Sequence, residues 1–289
     1  DVRNFIKNIN RKIQIGDKVF IGKLLYGNLK LILQATHEML ASESIVRYEE
    51  HYRSAGHFRY FGEYQFFDAL ICGRYRTHNG ESSNIINPFH FHHASISANC
   101  YDTLCAVYLL HYLREQVYSR DQLVEFFCNC GFPSELVSSA IAIFEKFHLV
   151  HLEESSQGQV MVHAHRSGIQ SYRRLLRKPA ALDNFAMTTP MEVRYLSGRR
   201  PTRGFLAEEF GERVTASIQF IDFIRSQEAA FDAQKKKLRS REDVITLREK
   251  VRYVYHRLSD SYFDRLAGLR RVGLPDHPTI TPAWWRDIM

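Results

Sequence analysis

The stretch TLCAVYLLHYLRE, Thr103 to Glu115, together with RDQLVEFFCNC (120–130) and SELVSSAIAIFEKFHLV (134–150) behind it, decides how this chain is read. In the first string apolar residues return on a helical period, and Asp102 or Thr103 offers an N-cap oxygen to the first amides. Val117 to Ser119 is a short extended link. Arg120 to Cys130 is a second short helix that Gly131 stops. Pro133 sets the turn before a third helix capped by Ser134, in which Val137, Ile141, Phe144 and Phe147 or His148 share one face at spacings of three and four. Val150 to Glu153 and Val160 to His163 alternate apolar and polar residues around the turn-rich SSQG, the pattern of a small β-hairpin. Ser167-Gly168 then opens a fourth helix, IQSYRRLLR. Helix, short strand, helix, helix, hairpin and helix in that order predict a winged helix over residues 101–178.

Composition bounds what such a unit belongs to. A chain of 289 residues with 45% apolar content has material for about two domains with real cores. It has no run of eighteen uncharged apolar residues and no signal-peptide pattern at its start, so a cytoplasmic protein without membrane contact is expected. The five cysteines, Cys72, Cys100, Cys105, Cys128 and Cys130, are odd in number and are expected as reduced thiols. A first residue of Asp1 and not methionine suggests a fragment or a processed chain. The net charge of +7 is unevenly placed: acidic and basic residues balance in 1–150, and the whole excess lies in 151–289. A polyanion would meet that second half first.

Upstream of the central unit, Val2 to Lys23 reads as a basic helix and linker. The string LLYGNLK (24–30) then enters the helix LILQATHEML, with Asn28 as a good N-cap and the positive end of the helix dipole near Lys30. A Gly-Asn pair opening a lid helix, with a basic residue two places on, resembles the second sensor of AAA+ and related P-loop NTPases. Initiator-type and STAND-type ATPases place a winged helix after such a lid. The aromatic run FRYFGEYQFFDALICGRYR and NIINPF, between Phe58 and Phe89, is similar to the segment joining lid to winged helix in bacterial members. The resemblance covers roughly residues 20–176, and it implies nucleotide sensing by Asn28 and Lys30. Lys30 stands where the family usually has Arg, a point charge in place of a fork of donors. No GxxxxGK[ST] string occurs anywhere, and IGDKVFIGK lacks the glycine spacing that wraps phosphates. The resemblance therefore implies the C-terminal region of a longer NTPase, with ATP and Mg²⁺ as cofactors only through a P-loop domain ahead of Asp1 and none bound by this chain. The plainer reading of 27–30 is a capped helix with an exposed lysine.

Other motifs carry weaker chemistry. Between Arg47 and Arg76 tyrosines and phenylalanines interleave with arginines, a pattern that stacks bases or, more plainly, packs helices. His90, His92 and His93, with His78 or Cys100, suggest zinc, but no HExxH, CxxC or acidic partner at ligand spacing accompanies them, so no metal site is expected. No GxSxG elbow, no activated cysteine and no facing carboxylate pair is present, and the chain has no self-contained active site.

The reading helix of the expected winged helix is poor in cations. Its solvent face offers Ser134, Glu135, Ser138, Ser139 and Ala142, with Lys146 near its end, and the wing tip is EESSQ. Sequence readers present basic and amide groups there, so protein contact is the expected use. Basic residues gather downstream: Arg166, Arg173, Arg174, Arg177 and Lys178; Arg194, Arg199, Arg200 and Arg203; and Lys235, Lys236, Lys237, Arg239 and Arg241. Of these, 166–178 and 235–239 are the candidate contacts to a DNA or RNA backbone.

Residues 179–204, mixed and rich in breakers, read as a linker. From Phe205 to Leu238, Leu206, Phe210, Val214, Ile218, Ile221 and Ile224 predict a long helix. Ser240 and Asp243 approximate a capping box for a second, with Val244, Leu247, Val251, Val254 and Leu258 as a heptad seam continued by Tyr262 and Leu266. The two should form an antiparallel hairpin whose seam closes within the chain or docks on a protein partner or second copy through 205–269. Trp284 and Trp285 in the tail are possible anchors.

The expected protein is mainly α: a helical lid-like region with an aromatic-rich linker (1–100), a winged helix with a small hairpin (101–178), a linker (179–204), and a helical hairpin with tail (205–289). Its expected work is non-catalytic, a regulatory and interaction region of a larger NTPase that couples nucleotide state to assembly or partner binding. The alternative is a nucleic-acid-binding winged-helix protein that uses the basic clusters for backbone contacts.

Overall fold

The structure is a computed structural model, and it describes residues 63–72, 85–90, 101–113, 117–191, 207–234 and 241–260, with His37, Ser83 and Tyr262. The described part is mainly helical with one small antiparallel sheet.

Its centre is a helix hydrophobic on every side. Cys105–Tyr112 (α2) follows a 3-10 turn at Asp102–Leu104, and all eight of its residues are buried. A helix apolar all round has to be enclosed by others, and the elements around it do this. After strand Val117–Ser119 (β1) come Arg120–Asn129 (α3), Ser134–Lys146 (α4), strands Val150–Glu154 (β2) and Val160–Ala164 (β3), and Arg166–Leu175 (α5). The order helix, short strand, helix, helix, hairpin, helix expected from the periodicity is the order observed. β1 and β2 both pair antiparallel with β3, in the order β1-β3-β2, with Val117 opposite His163 and Leu152 opposite Val162. α4 and α5 close round α2, and α3 meets it through the rings of Phe126 and Phe127 against Tyr112; Leu123, Phe127, Val137, Ile141 and Phe144 of α3 and α4 are all buried.

The helix ends explain themselves locally, though not always through the residues expected. α3 stops in a Schellman motif: Gly131 has φ +96°, its amide donates to the Cys128 carbonyl at 2.8 Å, and the Phe132 amide donates to Phe127 at 3.1 Å. α4 ends the same way with His148 in glycine's place, at φ +52°, and the Leu149 amide 2.7 Å from the Phe144 carbonyl. The N-cap positions fall on Tyr101 and Leu104 and on Pro133, none of which makes a side-chain cap, and not on Asp102, Thr103 or Ser134. Asp102 lies inside the 3-10 turn, which tightens the first turn in place of a capping side chain, and Ser134 is already helical, with Pro133 ahead of it.

Residues expected as a linker open instead with a packed helix, Pro179–Thr188 (α6), eight of whose ten residues are buried. It lies against Glu63–Cys72 (α1) and Ala207–Gln234 (α7), the second of which the periodicity anticipates. The NIINPF segment is pinned beside it. Asn87 donates to the Thr188 and Thr189 hydroxyls at 2.8 and 3.1 Å, the Ile86 amide donates to the Tyr172 hydroxyl at 2.8 Å, and Phe89 meets Phe185 and Phe220 edge-on. Phe67, Leu70 and Ile71 of the aromatic-rich region are core residues and not a stacking platform.

The last elements are Arg241–Val251 (α8) and a helical stretch at 254–260 (α9). The seam expected as one continuous helix breaks at Arg252, whose φ of +58° and whose amide bond to the Arg248 carbonyl at 2.8 Å form a left-handed cap. α8 packs on α2 and α3. Val244, Leu247, Val251, Val254, Leu258 and Tyr262 are all buried within the chain, as are Val214, Phe220, Ile221, Ile224 and Phe231 of α7. Of the two uses expected for the seam, the described positions take the first and close within the chain. Among the described residues no helix is long and apolar enough to cross a membrane.

Candidate functional site

α2 carries two polar side chains one turn apart, Tyr108 and His111, both buried. Each meets an arginine from the end of the chain, and the two meetings differ in charge.

At Tyr108 the arginine is Arg248 of α8. Its Nη1 donates to the Tyr108 hydroxyl at 2.6 Å and to Glu228 Oε1 at 2.9 Å, its Nε to Asp232 Oδ1 at 3.0 Å, and its Nη2 to the Glu228 carbonyl at 3.2 Å. The Tyr108 hydroxyl in turn donates to Glu228 Oε1 at 2.7 Å. Glu228, its side chain 1% exposed, has a further task, since the backbone amides of Val254 and Tyr255 donate to its two oxygens at 3.1 and 3.0 Å. Those are orphan donors at the start of α9, exposed by the break at Arg252, and a carboxylate suits the positive end of a helix. The guanidinium also lies over the rings of Tyr108, Phe231 and Tyr253, with its carbon 5.3, 4.9 and 4.5 Å from their centroids. Burial and the Glu228 carboxylate push the Tyr108 phenol well up. Burial pulls Arg248 down, but Tyr108, Glu228 and Asp232 outweigh it and the net direction is up. A charge pair this enclosed holds only because every member has partners. It ties α2, α7, α8 and α9 together and is structural.

At His111 the arginine is Arg257 of α9, with Nη1 2.8 Å from Nδ1. Burial first, then Arg257, Arg173 and Arg177, push His111 well below the ordinary imidazole value. The ring is therefore neutral at pH 7, and Nδ1 accepts from Arg257. Burial and the positive charges of Arg173, Arg177 and Arg252 bring Arg257 down to about 10, with Glu228 acting the other way. Arg257 keeps its proton at neutral pH. Arg173 is in the last turn of α5 and Arg177 in the turn that follows it; Ile169, Tyr172 and Leu175 of α5 are buried on the side that meets α2, while Arg166, Arg174 and Arg177 are exposed and Arg173 and Lys178 half-buried.

Of the expected backbone contacts, Arg173 and Arg177 thus act electrostatically on His111 and Arg257, and Arg166 and Arg174 are exposed on α5. Lys235, Lys236, Lys237 and Arg239, and the candidate sensors Asn28 and Lys30, lie outside the described residues. His111, Arg252 and Arg257 were missed as functional candidates. A signal did exist for the charged lock: Glu228 continues the Ile221, Ile224, Phe231 stripe and Arg248 lies four residues past Val244, so each is a charge on an apolar face.

The face of α4 expected to meet solvent is exposed in part, since Ser138 and Ser139 are half-buried. Ser134, Glu135, Ala142 and Lys146 of α4 are exposed, as are Glu153 and Glu154 at the wing, where Glu153 pairs with His163 at 3.2 Å. His148, His151, His163 and His165 collect at one end of the sheet, and His165 is lowered by burial and by the other three. Among the described residues no group of three or more histidine, cysteine or acidic side chains is placed to hold a metal; His90 is half-buried, and His92 and His93 lie outside the described residues. Comparison of the chain with family models, curated proteins and solved structures found no match.

Proposed function

We propose that this chain is a non-catalytic interaction region in which 101–178 is a winged helix used for protein contact and fastened to the C-terminal helices, so that a partner at α4 or the wing is coupled to α7–α9. The observation that carries this reading is the chemistry of the α4 face and wing: Ser134, Glu135, Ala142, Glu153 and Glu154 are exposed, with Lys146 as the cation. A phosphate backbone is repelled by such a surface, whereas a basic protein surface is complementary to it. In the reading that the AAA+ resemblance implies, the larger protein is a P-loop NTPase and this region passes its nucleotide state to assembly or partners.

The test is selection of duplexes from a random pool, followed by anisotropy measurements. The expected result is no enriched motif, and duplex affinity indifferent to Lys146→Ala. An enriched motif whose binding is lost in Lys146→Ala, or ATP turnover by the purified chain, contradicts the reading.

A second reading is favoured by the exposed arginines of α5. Arg166, Arg174 and Arg177, with Arg173 and Lys178, form a basic surface suited to the backbone of DNA or RNA without sequence choice. It predicts oligonucleotide retention that falls steeply with salt and is lost when Arg173, Arg174 and Arg177 become Gln.

A further inference from the structure

β3 lies in the middle of the order β1-β3-β2, so β2 pairs on one side and has an outer edge on the other. The ends of its ladder fix which backbone groups face that edge. The His165 amide donates to the Leu149 carbonyl at 2.9 Å, and the Ser155 amide to the Gln159 carbonyl at 2.8 Å. Bonded positions alternate in an antiparallel pair. With His151 opposite His163 and Glu153 opposite Met161, the odd-numbered residues 149–155 bond to β3, and Val150, Leu152 and Glu154 turn their amides and carbonyls outward. Val150 is only 2% exposed, whereas Leu152 is half-buried and Glu154 exposed. The reachable edge is therefore 152–154, and no hydrogen bond of the described residues reaches the outward groups of Leu152 or Glu154.

Open edges are commonly blunted by lysine, proline or a bulge. The sequence VHLEE has neither residue, and its pairing with β3 runs without a bulge. The charges it does carry, Glu153 and Glu154, are acidic and choose among occupants. A second copy pairing antiparallel over 152–154 would bring Leu152 opposite Glu154 and so Glu153 opposite Glu153, a like-charge pair. A basic strand meets no such penalty.

We propose that the outer edge of β2 at 152–154 is a docking site for an extended basic segment of a partner protein, which joins the sheet as a fourth strand. The proposal rests on the protein-contact reading and names the way the wing makes its contact. Bonds to the Leu152 and Glu154 backbone give affinity, and the alternation of side chains gives specificity. On the solvent face Glu153 favours a lysine or arginine beside it. On the other face Leu152, which packs against the core, favours an apolar residue. The segment that fits is an alternation of basic and apolar residues.

The test titrates the full chain with a synthetic peptide of alternating lysine and valine, followed by amide chemical shifts and hydrogen exchange. Saturable binding is expected, with exchange of the Leu152 and Glu154 amides slowed at saturation, and none for a glutamate-valine peptide. Two isomers of equal charge separate strand addition from simple attraction. Methylation of the valine backbone nitrogens removes the donors that face β2 and weakens binding by roughly tenfold or more; methylation of the lysine backbone nitrogens, on the far edge, costs much less. Glu154→Pro, at an exposed position whose amide makes no bond to β3, keeps the hairpin and loses binding, whereas Glu154→Gln keeps the amide and weakens binding by roughly threefold. Absence of binding, equal binding of the two isomers, or binding unchanged in Glu154→Pro overturns the proposal. Shifts confined to α4 overturn it and leave the protein-contact reading standing, since that reading fails by its own duplex test. Dimerisation with the Leu152 and Glu154 amides protected before peptide is added overturns it by making a second copy the occupant.

Discussion

Tyr108 and His111 stand one turn apart on the same buried helix, and each holds an arginine that arrives from the last part of the chain. Around Arg248 two carboxylates, a phenol and three rings complete the set of partners. Around Arg257 burial and the charges of Arg173, Arg177 and Arg252 bring it down to about 10, against the pull of Glu228. The difference teaches that burial alone does not decide how a charge is held. Burial is common to both; at Arg248 the neighbouring acids and phenol outweigh it, and at Arg257 neighbouring arginines add to it.

The largest expected effect is at the balanced site. Glu228→Gln leaves Arg248 buried against half its partners and weakens the cap of α9, so it should cost about 3–5 kcal/mol, read as a lower urea midpoint at unchanged slope. Amides of Val254 and Tyr255 should lose hydrogen-exchange protection before those of α2. A loss under about 1 kcal/mol would mean that the network is decoration and that packing alone fastens α9.

Next in size is the pH dependence that the unbalanced site imposes. His111 is held below its unfolded value of about 6.5 by burial and three arginines. Above that pH neither state carries the proton, and stability is at its full value. As pH falls through 6.5 toward the lowered folded value, the unfolded chain binds a proton that the folded chain refuses, and stability drops by up to about 1.4 kcal/mol per pH unit. His165, lowered by burial and neighbouring histidines, adds a smaller share of the same sign. His111→Gln should flatten the profile between pH 6.5 and 5; an unchanged slope would place the titration elsewhere.

The smallest effect compares two left-handed caps. His148→Gly should stabilise by about 0.5–1 kcal/mol by relieving a positive φ. Arg252→Gly relieves the same strain and also removes a cation from beside Arg257, so it should stabilise by more than His148→Gly. Equal gains would argue that the arginines do not repel one another measurably.

The fold was legible where local periodicity and punctuation agree. The order of elements from Asp102 to Leu175 follows from apolar spacing, Gly131 and the SSQG turn, and the long helix of α7 from its stripe. α6 was not legible, because Asp183, Asn184 and Thr188 look like loop residues. In the fold each finds a partner: Ser217 donates to Asp183 at 2.8 Å, Asn184 donates to the Ala180 carbonyl, and Thr188 to the Asn184 carbonyl. Tertiary satisfaction of polar groups is invisible in a one-dimensional pattern. The break at Arg252 was hidden for a related reason, since the buried Glu228 carboxylate, 24 residues or more upstream, supplies the cap that lets α9 restart. The basic character of α5 could be read directly, but its electrostatic action on His111 and Arg257 joins positions dozens of residues apart, and no spacing rule reports that.

The most direct test replaces the two arginines alike and measures urea unfolding side by side. Arg248→Gln should lose about 3–5 kcal/mol because Glu228 is left buried and underpaired. Arg257→Gln should stay within about 1 kcal/mol of the parent, since the amide can still donate to His111 while one of the like charges is gone. Equal losses, or a greater loss at Arg257, would contradict the claim that the network of Tyr108, Glu228, Asp232 and Arg248 is what fastens the C-terminal helices.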